Sequence, residues 1–220
     1  TNQKSSGRCW LFAALNVIRR EVVKKYDLVD FELSQNYLFF WDKFERINFN
    51  LNSIIETKDL DVNDRLVQHI LSDPLCDGGQ WDMIANLVNK YGLVPKSVYQ
   101  ESYHSSNSRE MNGILQKKFR EYAMNLRKSE SPKKLLKEYM MEVYRLLCYF
   151  LGEPPSEFTW EYKNVRKEHC KNSGLTPLSF YKNMIPFNFD DYVCVINDPR
   201  KEHPYNNKYS IKYLGNVLNG

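Results

Sequence analysis

The spacing of apolar residues divides this chain into a long helical part and a shorter part with the alternation typical of β-strands. Apolar residues recur at helical spacing from Cys9 to about Leu151, with an interruption near Ser131–Pro132. Beyond Pro154–Pro155, aromatic and β-branched residues alternate with polar ones instead. The pattern predicts helices at Cys9 to about Tyr26, after Ser34, Asn63 to Ser72, Trp81 to Tyr91, twice between Arg109 and Leu151, and briefly from Pro177, with strands beginning at Phe158, Tyr192 and Tyr209.

Composition narrows the class of protein. The chain has 220 residues, 42% of them hydrophobic, and this is enough apolar material for a substantial core. Its net charge of +4 does not require a polyanionic partner. An odd number of cysteines, five, without close pairing favours a reducing compartment, so we predict a cytoplasmic protein. No apolar run approaches the roughly 18 residues of a membrane span, and we expect no membrane partner.

The ends of the sequence led us to expect a fragment. The chain begins at Thr1 and not at methionine, and motif-like sequence starts within three residues. Its last residues, Leu218–Gly220, show no obvious closing element. We therefore expect a piece clipped at both ends.

A glutamine placed six residues before a helix-opening cysteine predicts nucleophilic catalysis. A thiol at a helix N-terminus lies where unpaired N–H groups favour the reactive thiolate, which makes Cys9 a candidate nucleophile. The Cys9 backbone N–H and the Gln3 amide are then candidate donors to the oxyanion of acyl transfer. Ser5 to Gly7 are expected to form the turn or cap before the helix, with glycine keeping that turn narrow enough for a substrate.

Three motifs occur in the order found in papain-like cysteine peptidases. Gln3 with Gly7–Trp10 resembles the active-site signature of that superfamily, and Glu32–Gln35 resembles the start of its next helix. Asp77–Trp81 resembles its glycine pair that binds the substrate backbone. Three further features narrow the resemblance to the bleomycin hydrolase and aminopeptidase C family. They are Arg8, the lack of nearby disulfide cysteines and the segment from Tyr91.

This resemblance implies an α+β fold of the papain type and a set of site residues. The implied organisation is a papain-like left half with the nucleophile helix over residues 1–105, a helical insertion over 106–152 and the incomplete start of a β-rich right half over 153–220. Cys9 would be the nucleophile and Gln3 the oxyanion-hole donor. The implied substrate-binding residues are Trp10, Gly78 and Gly79.

The resemblance also implies an activity and partners. It implies a cytosolic homohexamer that removes N-terminal residues from peptides and hydrolyses bleomycin. Peptides are the expected substrates, and neither a metal ion nor an organic cofactor is expected, because thiolate chemistry needs neither.

The general base is the weakest part of this assignment. In papain-like proteases the histidine and its asparagine follow the cysteine by about 130 to 150 residues, and they lie on neighbouring strands by family resemblance. His69 and His104 come too early in the sequence. Asn172 is too close to His169 for the two to lie on neighbouring strands, and His203 lies in a turn-like, solvated segment. We assign none as the base and expect the base beyond Gly220, which predicts a nearly inactive chain. The four histidines are His69, His104, His169 and His203.

Two other functions remain open, namely a non-catalytic papain-like module and a nucleic-acid-binding module. A lone cysteine at a helix start is more often a buried small hydrophobe than a nucleophile. Residues 109–145 carry ten Lys or Arg against five Asp or Glu, a net of +5, which is typical of a solvated helical face and less often of a nucleic-acid site. In a nucleic-acid-binding module, binding would depend on Lys117, Lys118, Arg120, Lys133 and Lys134.

Overall fold

The computed structural model describes residues 2–218, in which seven α-helices of at least four residues are followed by one small sheet. The helices are α1 (Cys9–Tyr26), α2 (Gln35–Glu56), α3 (Arg65–Ser72), α4 (Trp81–Tyr91), α5 (Tyr103–Ser106), α6 (Arg109–Lys128) and α7 (Pro132–Leu151). The strands are β1 (Phe158–Lys163) and β2 (His169–Leu175). A short turn, α8 (Pro177–Ser179), continues into a π-helical turn at Phe180–Met184.

Helix α2 is the centre of the helical layer. It packs against α1, α3, α4, α6 and α7, and its buried face continues into the cores of these neighbours. Ser34 begins the helix, because its side-chain oxygen accepts a hydrogen bond from the Tyr37 N–H. The predicted start of this helix is confirmed. Its buried charged residues lie close to the elements packed around it.

Helices α6 and α7 form the pair predicted from the charged stretch. The break between them lies where Pro132 takes the first helical position of α7, and a proline there lacks the N–H that a helix interior would need. One stripe of each helix is buried against α2 and against the other helix. The extent of residues 106–152 as an insertion stays a prediction.

The sheet is an antiparallel pair of strands attached to the end of α1. Strand β1 pairs with β2, and Trp160 of β1 is 2% exposed. The Trp160 ring meets the Tyr26 ring edge-on at 5.2 Å and lies 5.6 Å from the Phe31 ring. The predicted strand at Phe158 is confirmed, whereas β2 lacks an alternating apolar pattern and was not predicted.

Two other strand predictions are wrong. Residues 192–196 and 209–213 form neither strand nor helix, and Val193, Val195 and Ile196 are 83%, 89% and 77% exposed. A strand is stable only with a neighbouring strand to accept and donate its backbone hydrogen bonds. Alternation gave these segments strand propensity, but no partner strand lies beside them within the described residues.

Within residues 2–218, no helix combines the length and the apolar composition needed to cross a bilayer.

Candidate active site

Cys9 is the first residue of α1 and is exposed. Arg8 precedes it at the N-cap position, and no side chain forms a capping hydrogen bond there. Of the two roles expected for Ser5 to Gly7, the turn before the helix is formed and the helix cap is not. No side chain accepts a hydrogen bond from the first N–H groups of α1 beside the Cys9 thiol, and a helix N-terminus carries a partial positive charge that attracts an incoming anion.

The turn before Cys9 is ordered by side chains, as predicted. Ser6 Oγ donates to the Gln3 carbonyl oxygen at 2.7 Å, and Arg8 Nε donates to Ser6 Oγ at 2.8 Å. The Ser5 N–H donates to the Ser106 carbonyl at 3.0 Å, which ties the turn to α5. Gln3 is thus held to the residues that lead into Cys9. Its Oε1 is buried and accepts no hydrogen bond from residues 2–218.

Arg8 is a buried anchor directly before the cysteine. Its side chain is 1% exposed and pairs with Glu101, with Nη1 2.8 Å from Oε2. The Phe12 and Phe39 rings lie 5.1 and 5.3 Å from its guanidinium carbon. Burial lowers the pKa of Arg8 below its usual value, and Glu101 partly offsets that effect. Removing Glu101 would leave a buried charge without its partner, so this pair holds the start of α1 in place.

The two-glycine segment lies against the turn that precedes Cys9. The Gly78 N–H donates to the Gly7 carbonyl at 3.3 Å. A Cβ added to Gly79 would lie 2.7 Å from the Trp10 indole, and one added to Gly7 would lie 2.1 Å from Asp77 Cβ. Trp10, Gly78 and Gly79, predicted separately, are therefore neighbours. Gly7 is required by the close approach of Asp77, a reason that the sequence did not supply.

Three buried charged residues of α2 support this glycine segment on its buried side, and none of them was predicted from the sequence. They are Asp42, Lys43 and Arg46. Lys43 Nζ donates to the Leu75 carbonyl at 2.9 Å and to Asp77 Oδ1 at 3.2 Å. Arg46 pairs with Asp42, with Nε 2.9 Å from both carboxylate oxygens. The available signal was the presence of charged residues inside an aromatic helical stripe, because charged groups are rarely buried unless they are paired.

Arg46 is the most highly connected of the three. Its Nη2 donates to the Gly78 carbonyl at 2.5 Å, and its Nη1 lies 3.1 Å from Cys76 Sγ. Burial lowers the pKa of Arg46, but Asp42 foremost, then Cys76 and Asp77, raise it above its usual value. The residue therefore stays a cation in a buried position.

A polar cavity of about 520 Å³ opens beside the turn that precedes Cys9. Gly7 and Asp77 form one wall, and the first turns of α6 form the other. The Asn112 Oδ1 on the α6 side is buried and accepts no hydrogen bond from the described residues. Helix α6 therefore lies at the edge of the candidate site, across this cavity from Gly7 and Asp77.

Within residues 2–218, the hydrogen bonds, ion pairs and ring contacts of the four histidines are made with residues other than Cys9. His169 lies in β2, 3.5 Å from Glu161 Oε2, and His203 Nδ1 lies 2.6 Å from Asp198 Oδ2. The His104 ring meets Phe150 at 4.9 Å. These placements agree with leaving the base unassigned.

Several basic residues of α6 are engaged within the chain. Lys118 lies 3.0 Å from Glu142 and 3.3 Å from Glu121. Arg120 donates to the Leu71 and Ser72 carbonyls at 3.3 and 3.1 Å. Because these side chains already have partners, they contribute less to a surface that would neutralise phosphates.

Comparison with known proteins places this geometry in a family. All of residues 1–220 match the model of the Peptidase C1-like family. Bleomycin hydrolase of Rattus norvegicus is 46% identical over 231 residues, and aminopeptidase C of Listeria innocua is 45% identical over 224. A crystal structure of PepW from Lactobacillus rhamnosis superimposes with a TM-score of 0.95 at 44% identity.

Each of these matches covers 100% of this chain and 51% of the other protein. The chain thus spans about half the length of the relatives that it matches. The expected α+β papain-type fold and the predicted resemblance are confirmed, and the nucleic-acid alternative is not favoured. The chain belongs to the Peptidase C1-like family.

Proposed function

We propose that this chain carries the nucleophile and oxyanion-hole part of a cysteine aminopeptidase, with Cys9 as the nucleophile and Gln3 as an oxyanion donor. The observation that carries the proposal is the position of Cys9, exposed at the uncapped first turn of α1 with Gln3 tied to the same turn. Identity to bleomycin hydrolase and aminopeptidase C supports aminopeptidase activity on peptides.

The reaction uses the Cys9 thiolate. Its sulfur attacks the peptide carbonyl carbon, a C–S bond forms, and the carbonyl π electrons move to oxygen. The Cys9 N–H and the Gln3 amide would stabilise this oxyanion. The C–N bond then breaks, the leaving amine takes a proton from a histidine, and water hydrolyses the thioester. Trp10, Gly78 and Gly79 would hold the substrate backbone beside the sulfur.

In this proposal the histidine is not assigned to His69, His104, His169 or His203. Without a base that shuttles protons, a thiolate is still alkylated but turns over peptides slowly. The residues described here would therefore react with thiol reagents and show little peptidase activity alone. The proposed cytoplasmic location and homohexamer rest on the family resemblance.

Covalent labelling tests the proposal. The chain is treated with iodoacetamide and with a peptidyl chloromethyl ketone across a range of pH, and mass spectrometry identifies the modified cysteines. We expect Cys9 to be labelled first, at lower pH, and faster by the peptidyl reagent. Labelling of Cys9 no faster than of Cys76 or Cys170 would contradict its role as nucleophile.

A peptidyl aldehyde tests the oxyanion hole separately. The aldehyde forms a hemithioacetal with Cys9, whose oxyanion occupies the same hole, and protects the thiol from iodoacetamide. Gln3→Ala should raise the protecting concentration by about tenfold to a hundredfold, because one oxyanion donor is lost. The control Gln68→Ala removes a glutamine that bonds the Val62 carbonyl and should leave protection unchanged. Equal protection in both variants would exclude Gln3 from the hole.

A further inference from the structure

Arg46 joins residues from three places in the sequence that meet at the candidate site. Its guanidinium carbon lies 5.8 Å from the Trp10 ring, next to the nucleophile. Its Nη2 binds the Gly78 carbonyl at 2.5 Å, and Nη1 lies 3.1 Å from Cys76 Sγ. The remaining donor, Nε, binds Asp42. One rigid side chain thus contacts the tryptophan and the glycine segment together.

The contact with the Gly78 carbonyl determines where the next N–H points. The peptide between Gly78 and Gly79 is trans, and in a planar trans peptide the C=O and N–H bonds point in opposite directions. Because Arg46 holds the carbonyl on the buried side, the Gly79 N–H is directed away from α2. Within residues 2–218, the Gly79 N–H donates to no backbone carbonyl. It is therefore free to donate to a bound peptide.

Arg46 itself is held in a single orientation. It is 3% exposed, and the Asp42 carboxylate that fixes it also accepts from Asn216 Nδ2 at 3.2 Å. Asn216 is 0% exposed and donates to the Met83 carbonyl as well, so the C-terminal segment supports the same cluster. The planar guanidinium offers donors at fixed angles, which a lysine ammonium does not.

We propose that Arg46 is a positioning residue for peptide binding, which orients the Gly78–Gly79 peptide group and seats Trp10 beside Cys9. This inference rests on the proposed function, because it assigns the glycine segment to the substrate backbone. Arg46 does not touch the substrate and acts through the groups that do. A change at Arg46 should therefore weaken reactions that depend on backbone recognition and spare the intrinsic reactivity of the thiol.

Two alkylation rates separate these effects in the same chain. Iodoacetamide reports the Cys9 thiol without a peptide backbone, whereas a dipeptidyl chloromethyl ketone also needs the backbone groove. For Arg46→Lys we expect the peptidyl rate to fall about tenfold and the iodoacetamide rate to stay within about twofold of the unaltered chain. Lysine keeps the positive charge opposite Asp42, so this variant is expected to fold.

Arg127→Lys is the matched control. Arg127 also donates to two backbone carbonyls, those of Thr57 and Leu60, but at the far end of α6. This variant should change neither alkylation rate. A second variant, Arg46→Ala, should regain part of the peptidyl rate when guanidinium ion is added, because the ion can occupy the vacated space.

The outcomes distinguish the two proposals. If the unaltered chain shows no preference for the peptidyl reagent, the proposed function is wrong. If the preference exists and Arg46→Lys retains it, or if both rates fall equally, the positioning role of Arg46 is wrong. Loss of the peptidyl preference with the iodoacetamide rate unchanged supports it.

Discussion

The indole of Trp10 occupies the space that a side chain at position 79 would need. The nearest ring atoms would lie 2.7 Å from a Cβ at that position, well inside van der Waals contact. The ring is also packed on the Arg46 guanidinium, so it cannot move toward α2 without disturbing that contact. Glycine at 79 is thus a steric requirement of Trp10, which follows Cys9.

Substitution of Gly79 by alanine should therefore cost stability and peptide binding. We expect a loss of about 1–3 kcal/mol in the free energy of unfolding, because the added methyl group overpacks the Trp10 contact. The peptidyl alkylation rate of Cys9 should fall as well. Chemical denaturation and the labelling assay measure the two effects.

Gly113 supplies the control for this prediction. It lies inside α6, and a Cβ there meets no atom within 4 Å. Gly113→Ala should raise stability by about 0.5–1 kcal/mol, because alanine is the better helix former. Equal effects of the two substitutions would contradict the steric account of Gly79.

At the scale of elements, the site depends on where α2 begins and what its inner face carries. Ser34 Oγ accepts from the Tyr37 N–H at 3.1 Å and donates to the Tyr99 carbonyl at 2.6 Å. It thereby caps α2 and ties it to the segment before α5. The same helix carries Arg46, so the position of this cap also sets the position of the glycine segment.

Removing the Ser34 hydroxyl should destabilise the chain. Ser34→Ala is expected to cost about 1–2 kcal/mol, because it removes a cap and leaves the Tyr37 N–H and the Tyr99 carbonyl buried without that partner. Thermal or urea unfolding followed by circular dichroism measures this change.

Ser131→Ala is the comparison. Ser131 is the N-cap residue of α7, but it is exposed and its side chain forms no capping hydrogen bond. Its replacement should change stability by less than about 0.5 kcal/mol. Similar losses in both variants would mean that the Ser34 hydrogen bonds do not hold α2.

At the scale of the whole molecule, the two ends of the chain differ in packing. The helical layer has a continuous core, whereas residues 192–211 leave large apolar side chains in solvent. Such clustered exposed side chains with strand-like alternation promote pairing with another chain. We therefore predict concentration-dependent self-association through this segment.

Replacing the exposed side chains tests that prediction. The triple substitution of Val193, Val195 and Ile196 by threonine should shift the protein toward monomer in sedimentation or gel filtration, because it removes apolar surface. Val29→Thr changes an equally exposed valine elsewhere, at 77% exposure, and should leave association unchanged. A monomeric unaltered chain at high concentration would contradict the prediction.

Features that depend on neighbouring residues were predictable from the sequence. The start of α1 at Cys9 follows from apolar spacing, the start of α2 from the Ser34 cap and the break before α7 from Pro132. These signals act within one or two helical turns. The glycine segment was identified by motif resemblance, and Gly79 lies against the Trp10 ring. Local physical chemistry and motif order determined these elements.

Only the tertiary structure decided how distant residues combine. The partners of Arg46 in the glycine and tryptophan segments lie up to 36 positions away in the sequence. Helical periodicity alone cannot show which charged side chain of α2 is buried and paired. The segments at 192–196 and 209–213 have strand-like sequences but no strands, since backbone pairing needs a neighbour that local sequence does not specify. Burial of a charge and pairing of a strand depend on the whole fold, and for this reason they were not readable from local pattern.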